Sequence, residues 1–250
     1  MKRLLSTLLL LAALLPVRAE EPTQRFTTAQ RAYDEGRYAD ALAFYNTLHA
    51  EGWRAPELYF NRGNALARLG RTGEAVASFQ QALLLAPRNA DAEANLRFVT
   101  TGAGVPAPKR SLASHLFGAL TPVEWTTLAA AAWWIGLLLA TTAFALPTRP
   151  RSLLRGAAIA GVLLVASLSG RAWWWNEARA PAAVVVQSGA KALFAPVSSA
   201  TPHFETPEGL TVRAVERNGD WLRVRHDGRE GWLPRTAVQI VELAAAPTLR

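Results

Sequence analysis

Two long apolar segments in the middle of the chain constrain its fold more than any other feature. The first, residues 117–146, includes a run of 22 residues from Trp125 to Leu146 without a formal charge. A helix rises about 1.5 Å per residue, so this run is long enough to cross a hydrocarbon core of about 30 Å. The second, residues 153–172, is shorter and carries Arg155 near its start, from where a long side chain reaches the lipid headgroups. We predict a two-helix transmembrane hairpin.

The loop between these segments, residues 147–152, predicts the orientation of the hairpin. Arg149 and Arg151 make the loop positive, and positively charged loops stay on the cytoplasmic side. Three tryptophans at 173–175 follow the second segment, where an interfacial aromatic belt is expected, and open a linker at 173–182. Both flanks of the hairpin are therefore predicted to be periplasmic. The alternative is a buried helical hairpin of a soluble domain, but no other part of the chain would cover two such helices.

The first 19 residues are predicted to be a signal peptide. Lys2 and Arg3 form its positive start, residues 4–15 its apolar core, and residues 17–19 a cleavage site with small side chains. The apolar core is too short for a comfortable membrane span. Retention of this segment as an anchor is the alternative, and either outcome places the following residues outside the cytoplasm.

Residues 20–100 repeat themselves with a period of 34. Four matching pairs share this spacing: Gly36 and Gly70, Ala41 and Ala75, Tyr45 and Phe79, and Leu48 and Ala82. The period is typical of tetratricopeptide repeats, in which each unit is a pair of antiparallel helices. Arg62 departs from the pattern, because leucine is usual at its position. We predict helices at 27–35 and 38–50 in the first unit, and a final capping helix at 91–99.

The resemblance to tetratricopeptide repeats implies a groove that binds extended peptides or helices and is lined by the first helix of each pair. Five side chains are candidates for this groove: Gln30, Tyr33, Asn61, Asn64 and Arg68. Paired asparagines can hold a peptide backbone through their amide donors and acceptors. The alternative is that these side chains are only solvated or cap the ends of helices.

The segment between the repeats and the hairpin, residues 101–116, is rich in glycine and proline and is predicted to be a linker. Residues 121–124 have the pattern of a helix start, with threonine, then proline, then an acidic residue in the first turn. Ala157 and Gly161 are spaced for close packing of the second apolar helix on the first.

Beyond the hairpin, residues 183–243 show the alternating pattern of short strands. The predicted strands lie at 183–186, 210–214, 221–226, 230–234 and 238–241. Turn signals separate them, with Asn218-Gly219 and Asp227-Gly228 as the clearest. Five or so short strands in about 60 residues favour a small all-β barrel.

The run from Asp220 to Trp232 resembles bacterial SH3 domains, which implies an SH3-like barrel at 183–243 followed by a tail at 244–250. Trp221 and Trp232 either belong to the core of this barrel or line a shallow groove on its surface. The fold alone does not assign a ligand to them.

No catalytic or metal-binding constellation is predicted. The chain has a formal charge of +8, part of it in the predicted signal peptide, and no basic stripe with interleaved aromatic residues, which argues against nucleic acid. Cysteine is absent and the four histidines are scattered. Ser188 and Lys191 match a serine–lysine motif that needs a helix, yet they fall in a β-rich loop. No cofactor is predicted, and the chain is interpreted as non-enzymatic.

The order of these features resembles the BatE-like proteins of the Bat aerotolerance operon. Signal peptide, all-α repeats, transmembrane hairpin and C-terminal SH3-like barrel follow one another as in that family. The resemblance implies partners that are membrane proteins with von Willebrand factor A domains, together with a MoxR-type ATPase system. We predict a scaffold in the cytoplasmic membrane that presents its repeats and its SH3-like barrel to the periplasm. The alternative is a cell-wall sensor that binds peptidoglycan through the barrel.

Overall fold

The computed structural model of this protein describes residues 22–108, 111–145, 150–179 and 181–242. The predicted signal peptide, the predicted tail and the first half of the predicted cytoplasmic loop lie outside these residues. Within them the chain forms helices first and a β-sheet last, in the order expected from the sequence.

The described N-terminal region consists of five helices. They are α1 (Pro22–Asp34), α2 (Tyr38–Ala50), α3 (Pro56–Arg68), α4 (Thr72–Leu85) and α5 (Ala90–Gly102). Gly36 and Gly70 follow α1 and α3 with φ of +77° and +74°, a conformation that glycine adopts without steric cost. The α2 helix has the predicted bounds, whereas α1 begins five residues earlier than predicted and α5 ends three residues later. Two helix pairs and a capping helix are therefore present.

One core joins the two helix pairs. Tyr45 of α2 and Phe79 of α4 occupy equivalent positions in the repeat, and both are buried. Gly63 of α3 lies directly against the Phe79 ring, because a Cβ atom at this position would be 2.7 Å from the nearest ring carbon. The glycine of the pattern thus allows α3 and α4 to approach closely.

The predicted linker at 101–116 is partly helical, which corrects the prediction at both of its ends. The α5 helix continues to Gly102, and a short helix, α6, covers Leu112–Phe117. Ser111 caps α6, since its hydroxyl accepts a hydrogen bond from the backbone N–H of Ser114 (3.1 Å).

Two apolar helices follow, α7 (Pro122–Ala145) and α8 (Pro150–Arg179), and each is long and apolar enough to cross a membrane. A capping box starts α7: Thr121 Oγ1 accepts from the backbone N–H of Glu124 (3.2 Å), and the Glu124 carboxylate accepts from that of Thr121 (2.8 Å). The helix therefore begins at the helix start predicted at residues 121–124, five residues after the first residue of the predicted apolar segment. The α8 helix continues through the three tryptophans, which the sequence had placed in a linker.

The two apolar helices pack against each other through small residues, but not through the predicted pair. A Cβ atom at Gly161 would meet nothing within 4 Å, so this residue faces away from α7. The close approaches occur at Gly136, where an added Cβ would lie 3.3 Å from the Ala160 Cβ and 3.9 Å from the Ala157 carbonyl, and at Gly170, against the Trp125 ring. Of the predicted pair, only Ala157 lies near the helix contact.

The C-terminal domain is an open antiparallel sheet of seven strands over the described residues. The strands are β1 (Ala182–Val185), β2 (Lys191–Leu193), β3 (Pro202–Glu205), β4 (Thr211–Asn218), β5 (Trp221–His226), β6 (Arg229–Pro234) and β7 (Val238–Val241). Their order is β3-β2-β6-β5-β4-β1-β7, so β3 and β7 are the edges. The bounds of β5 and β7 are as predicted. The β2 and β3 strands were not predicted, because neither is long enough to show alternation.

The sheet buries one of its two faces. Leu222, Val224 and Leu233 alternate with more exposed neighbours along β5 and β6 and are buried. Val212 and Ala214 of β4 join the same cluster, as their predicted alternation requires. An antiparallel β domain is therefore present where the sequence predicted one, but over the described residues its sheet is not closed into the predicted barrel.

Candidate protein-binding groove

The first helices of the repeat units, α1, α3 and α5, lie side by side and form one face of the repeat region. Asn64 of α3 and Asn95 of α5 meet on this face, where Asn95 Nδ2 donates a hydrogen bond to Asn64 Oδ1 (2.8 Å). Both side chains are half-buried. Each amide has donors and acceptors beyond this one hydrogen bond, so the pair can still bond to a peptide backbone.

Phe98 lies one turn after Asn95 on α5 and was not among the groove candidates predicted from the sequence. It follows Asn64 by 34 positions and so occupies the equivalent place on α5. Its side chain is 80% exposed, so a large apolar surface is available on α5 next to the amide pair. The period of 34 was the signal that would have identified both Phe98 and Asn95, which follows Asn61 by the same interval.

Arg68, at the end of α3, belongs to a small aromatic cluster. Its guanidinium carbon lies 4.7 Å from the ring centroid of Tyr38, and it also donates a hydrogen bond to the Tyr38 hydroxyl. The Tyr38 ring in turn packs edge-on against Tyr33 (5.1 Å between centroids). Burial raises the pKa of Tyr33, and the nearby positive charge of Arg68 opposes that rise. The cluster holds Arg68 in place while leaving it exposed.

The remaining groove candidates are not brought together. Gln30 is exposed on α1, and Asn61 is half-buried one turn before Asn64 on α3. Of the five candidates, Asn64 thus pairs with Asn95, and Arg68 and Tyr33 form a cluster with Tyr38. Gln30 and Asn61 remain separate.

Arg62 takes no part in this face. It is buried between the helix pairs, where Nε donates to Asn46 Oδ1 (2.8 Å) and a terminal nitrogen donates to Ser78 Oγ (2.5 Å). Burial lowers the pKa of its guanidinium, and Glu74 opposes that shift. The arginine that stands here in place of the usual leucine is thus accommodated by polar partners on α2 and α4.

The β domain covers the opposite side of the repeat region. Strands β1 and β7 pack on α4, and Val184 and Val241 enter the core of the repeats. Polar contacts flank this apolar contact: Gln80 Nε2 donates to Thr211 Oγ1 (2.6 Å), and Gln81 Nε2 donates to the Glu242 carbonyl (2.9 Å). The second helix of the unit is therefore enclosed, while the face formed by the first helices stays open.

The two tryptophans of the β domain share the face of the sheet opposite its core. Each precedes a buried leucine in its strand, Trp221 before Leu222 and Trp232 before Leu233, and each is half-buried. Between them stands Arg223, whose guanidinium carbon is 5.8 Å from the ring centroid of Trp232. Arg223 is itself paired with Glu216 (2.6 Å) and Glu230 (3.7 Å), so the outer side of the sheet presents two aromatic rings around a neutralised arginine.

The serine–lysine motif lies in the turn before β2. Ser188 is exposed in this turn, and Lys191 forms an ion pair with Glu205 on β3 (3.7 Å). Within the described residues no three His, Cys, Asp or Glu side chains are grouped in a way that would hold a metal ion.

A helical-repeat region with one enclosed and one open face is the architecture of a protein-interaction module. The family model described as "Tetratricopeptide repeat" matches residues 56–89, which comprise α3, α4 and the turn after them. The prediction of such a repeat at this place is confirmed. Tetratricopeptide repeats are non-catalytic protein-interaction repeats, which suggests a protein-binding scaffold for this part of the chain. No curated protein matches the chain.

Proposed function

We propose that this protein is a non-enzymatic scaffold, anchored in the cytoplasmic membrane by α7 and α8, that binds a partner protein through the groove on α1, α3 and α5. One observation carries the proposal: the β domain encloses α4, whereas the face of the first helices is left open and presents an exposed Phe98 beside the Asn64–Asn95 amide pair.

The composition of the groove favours an extended peptide with an apolar anchor. The amides of Asn64 and Asn95 can bond to main-chain N–H and C=O groups without regard to sequence. Phe98 offers an apolar contact, and Arg68 offers a positive charge one turn after Asn64, at the end of α3. A partner segment with an apolar side chain followed by an acidic group matches this arrangement.

Placement in the membrane is also part of the proposal. The length and apolar character of α7 and α8 support it, and the arginines around the loop favour a cytoplasmic connection. By resemblance to the BatE-like proteins, the partner would be a membrane protein with a von Willebrand factor A domain. The same resemblance assigns the β domain to the SH3-like class and the groove to the periplasm.

Site-specific crosslinking in cells tests the groove. A photo-reactive phenylalanine analogue at Phe98 is expected to capture a membrane protein with a von Willebrand factor A domain. Asn64→Ala and Arg68→Ala are each expected to lower the yield several-fold, because they remove a backbone contact and a charge contact. The matched control is the same analogue at Phe194, an exposed phenylalanine of the β domain.

Two outcomes would contradict the groove assignment. One is capture of the same protein with equal yield from Phe98 and Phe194. The other is a yield from Phe98 that neither Asn64→Ala nor Arg68→Ala changes although the variants insert normally.

The outer face of the β domain supports a second candidate function, binding to the cell wall. Trp221 and Trp232 flank Arg223 on this face, and aromatic side chains of this kind stack on sugar rings and peptide backbones. Full-length protein should then be retained on purified sacculi, and the double variant Trp221→Ala/Trp232→Ala should not. Equal retention of both proteins excludes this role of the tryptophans.

A further inference from the structure

A cleft of about 650 Å³ lies where the three parts of the chain meet. We call it the junction cleft. Its walls come from the end of α4, from the middle of α5, from α6, from the last turns of α8 and from strands β4 and β5. Cavities of a few hundred to about 1,000 Å³ at such junctions are typical of small-ligand sites. None of the groove candidates lines it, whereas Arg225, which shares the outer face of β5 with Trp221 and Arg223, stands at its edge.

The junction cleft stands at the level where the hairpin would leave the bilayer. Gly118, just before α7, and Trp173, near the end of α8, both line it. Tryptophan at such a position is typical of the membrane–water interface. This step rests on the membrane placement proposed above.

The short helix α6 separates the cleft from the lipid side. Leu112 and Leu116 lie one turn apart and are 76% and 59% exposed, which gives α6 an apolar face without a protein neighbour to bury it. Ser114 and His115, on the other side of the helix, line the cleft. An amphipathic helix with this division is suited to lie in the headgroup region, with its leucines in lipid.

The charges in the junction cleft are balanced. Three arginines and three carboxylates line it: Arg88, Arg213, Arg225, Glu177, Asp227 and Glu242. All three arginines already have a carboxylate partner: Arg213 pairs with Glu177, Arg88 with Glu124 and Arg225 with Glu230. An anionic ligand would compete with these carboxylates for the arginines, whereas a zwitterion adds one charge of each sign and preserves the balance.

We propose that the junction cleft binds one zwitterionic phospholipid of the periplasmic leaflet. The phosphate lies towards the arginines, the ammonium group towards the carboxylates, and the acyl chains leave beside Trp173 and α6. Such a lipid would fill the space between the repeat region, the hairpin and the β domain, and so fix their relative positions at the membrane surface.

The test uses the full-length protein reconstituted in bilayers of equal parts phosphatidylethanolamine and phosphatidylglycerol. After extraction into detergent, the phospholipids that stay bound are counted by mass spectrometry. About one phosphatidylethanolamine per protein is expected, enriched at least fivefold over phosphatidylglycerol. Ala107→Trp and Ala119→Trp, two exposed alanines that line the cleft from different segments, should each lower this retention at least fivefold.

The matched control is Ala43→Trp, an exposed alanine of α2 outside the cleft, which should retain the lipid. The proposal is overturned if both filling variants retain as much lipid as the wild type, or if phosphatidylglycerol is the retained species. Flotation of the same samples on a density gradient separates the two proposals. Wild-type protein that inserts but retains no lipid defeats only the cleft, whereas protein that does not float with the bilayers defeats the membrane anchoring.

Discussion

The carboxylate of Glu208 accepts a hydrogen bond from the backbone N–H of Gly73, at 2.9 Å. Gly73 lies in the first turn of α4, a helix whose own N-cap residue, Arg71, makes no capping hydrogen bond through its side chain. A residue 135 positions later in the chain therefore satisfies a free N–H group at the start of this helix and places a negative charge at its positive end. The repeat region depends on the β domain for this contact.

Replacement of Glu208 by alanine should destabilise both domains together. The loss of a capping carboxylate costs about 0.5–2 kcal/mol. A lower melting temperature of the full chain, with the helical and β signals still lost in one transition, is the expected result by circular dichroism. Glu205→Ala, which removes an exposed carboxylate of the neighbouring strand, is the control and should leave the melting temperature nearly unchanged. Equal effects of the two substitutions would contradict the capping role.

Replacement of Gly73 by alanine should be more damaging. The new Cβ would be 2.7 Å from the Val186 Cα, and backbone atoms cannot move aside as a flexible side chain does. Overpacking of this kind costs about 1–3 kcal/mol. Thermal unfolding of the full chain measures it. Gly102→Ala, where an added Cβ meets nothing within 4 Å, serves as the control. A Gly73→Ala protein as stable as this control would show that the β domain does not pack closely against α4 at this position.

Gly63 and Phe79 should behave as a coupled pair. Gly63→Ala alone would push a Cβ into the Phe79 ring and lower the free energy of unfolding. Phe79→Leu removes the ring atoms in question, so the double variant should lose less stability than the sum of the single variants. A double-mutant cycle from denaturant unfolding gives the coupling energy. Strict additivity would mean that the two residues do not touch.

Gly170 and Gly161 offer a matched comparison within one apolar helix. At Gly170 even an added Cβ would lie 2.8 Å or less from three carbons of the Trp125 ring, so a leucine there would clash with the ring. A leucine at 161 would enter open space. Gly170→Leu should therefore separate α7 from α8 and lower the melting temperature of the detergent-solubilised protein, and Gly161→Leu should not. The reverse order would mean that the helices pack through the small residues predicted from the sequence.

Acidification should weaken the repeat region through His49. Burial lowers the pKa of its imidazole, and the charges of Arg54 and Arg62 lower it further; Nδ1 also lies 3.0 Å from the Tyr59 hydroxyl. The unfolded chain, with a pKa near about 6.5, takes up a proton before the folded chain does. The contribution of His49 to the free energy of unfolding is therefore fully present above that pH and declines as the pH falls below it.

His49→Gln should remove part of this decline between pH 7.5 and pH 5.5, measured as the difference in free energy of unfolding. Tyr59→Phe should keep the decline, because it preserves the burial and removes only the hydroxyl. An identical pH dependence in wild type and His49→Gln would contradict the assignment.

Much of the helical part of the molecule followed from local patterns. The period of 34 located both helix pairs, and the bounds of α2 and β5 were predicted without error because glycine turns and alternation mark them within a few residues. The candidate groove could be predicted from the sequence only in part. Arg68 and Asn64 were predicted from their place in the repeat, but Tyr38 and Asn95 complete their contacts from neighbouring helices.

Other features escaped sequence reasoning for physical reasons. The β2 and β3 strands are too short to show a period, and they exist because they pair with each other and with β6. Gly161 was expected at the helix contact because small residues favour close packing, yet which side of a uniformly apolar helix faces its neighbour depends on where large side chains such as Trp125 fit.

The residue pattern alone thus defined the kinds of element in this chain: helix pairs of a repeat, two apolar helices, and short strands. Tertiary structure decided how they meet. The contacts of Gly73 with Glu208 and of Gln80 with Thr211 join residues more than 130 positions apart. Periodicity is set by neighbours along the chain, whereas the choice of which helix to enclose and which face to leave open depends on side-chain shape and hydrogen bonding between distant segments.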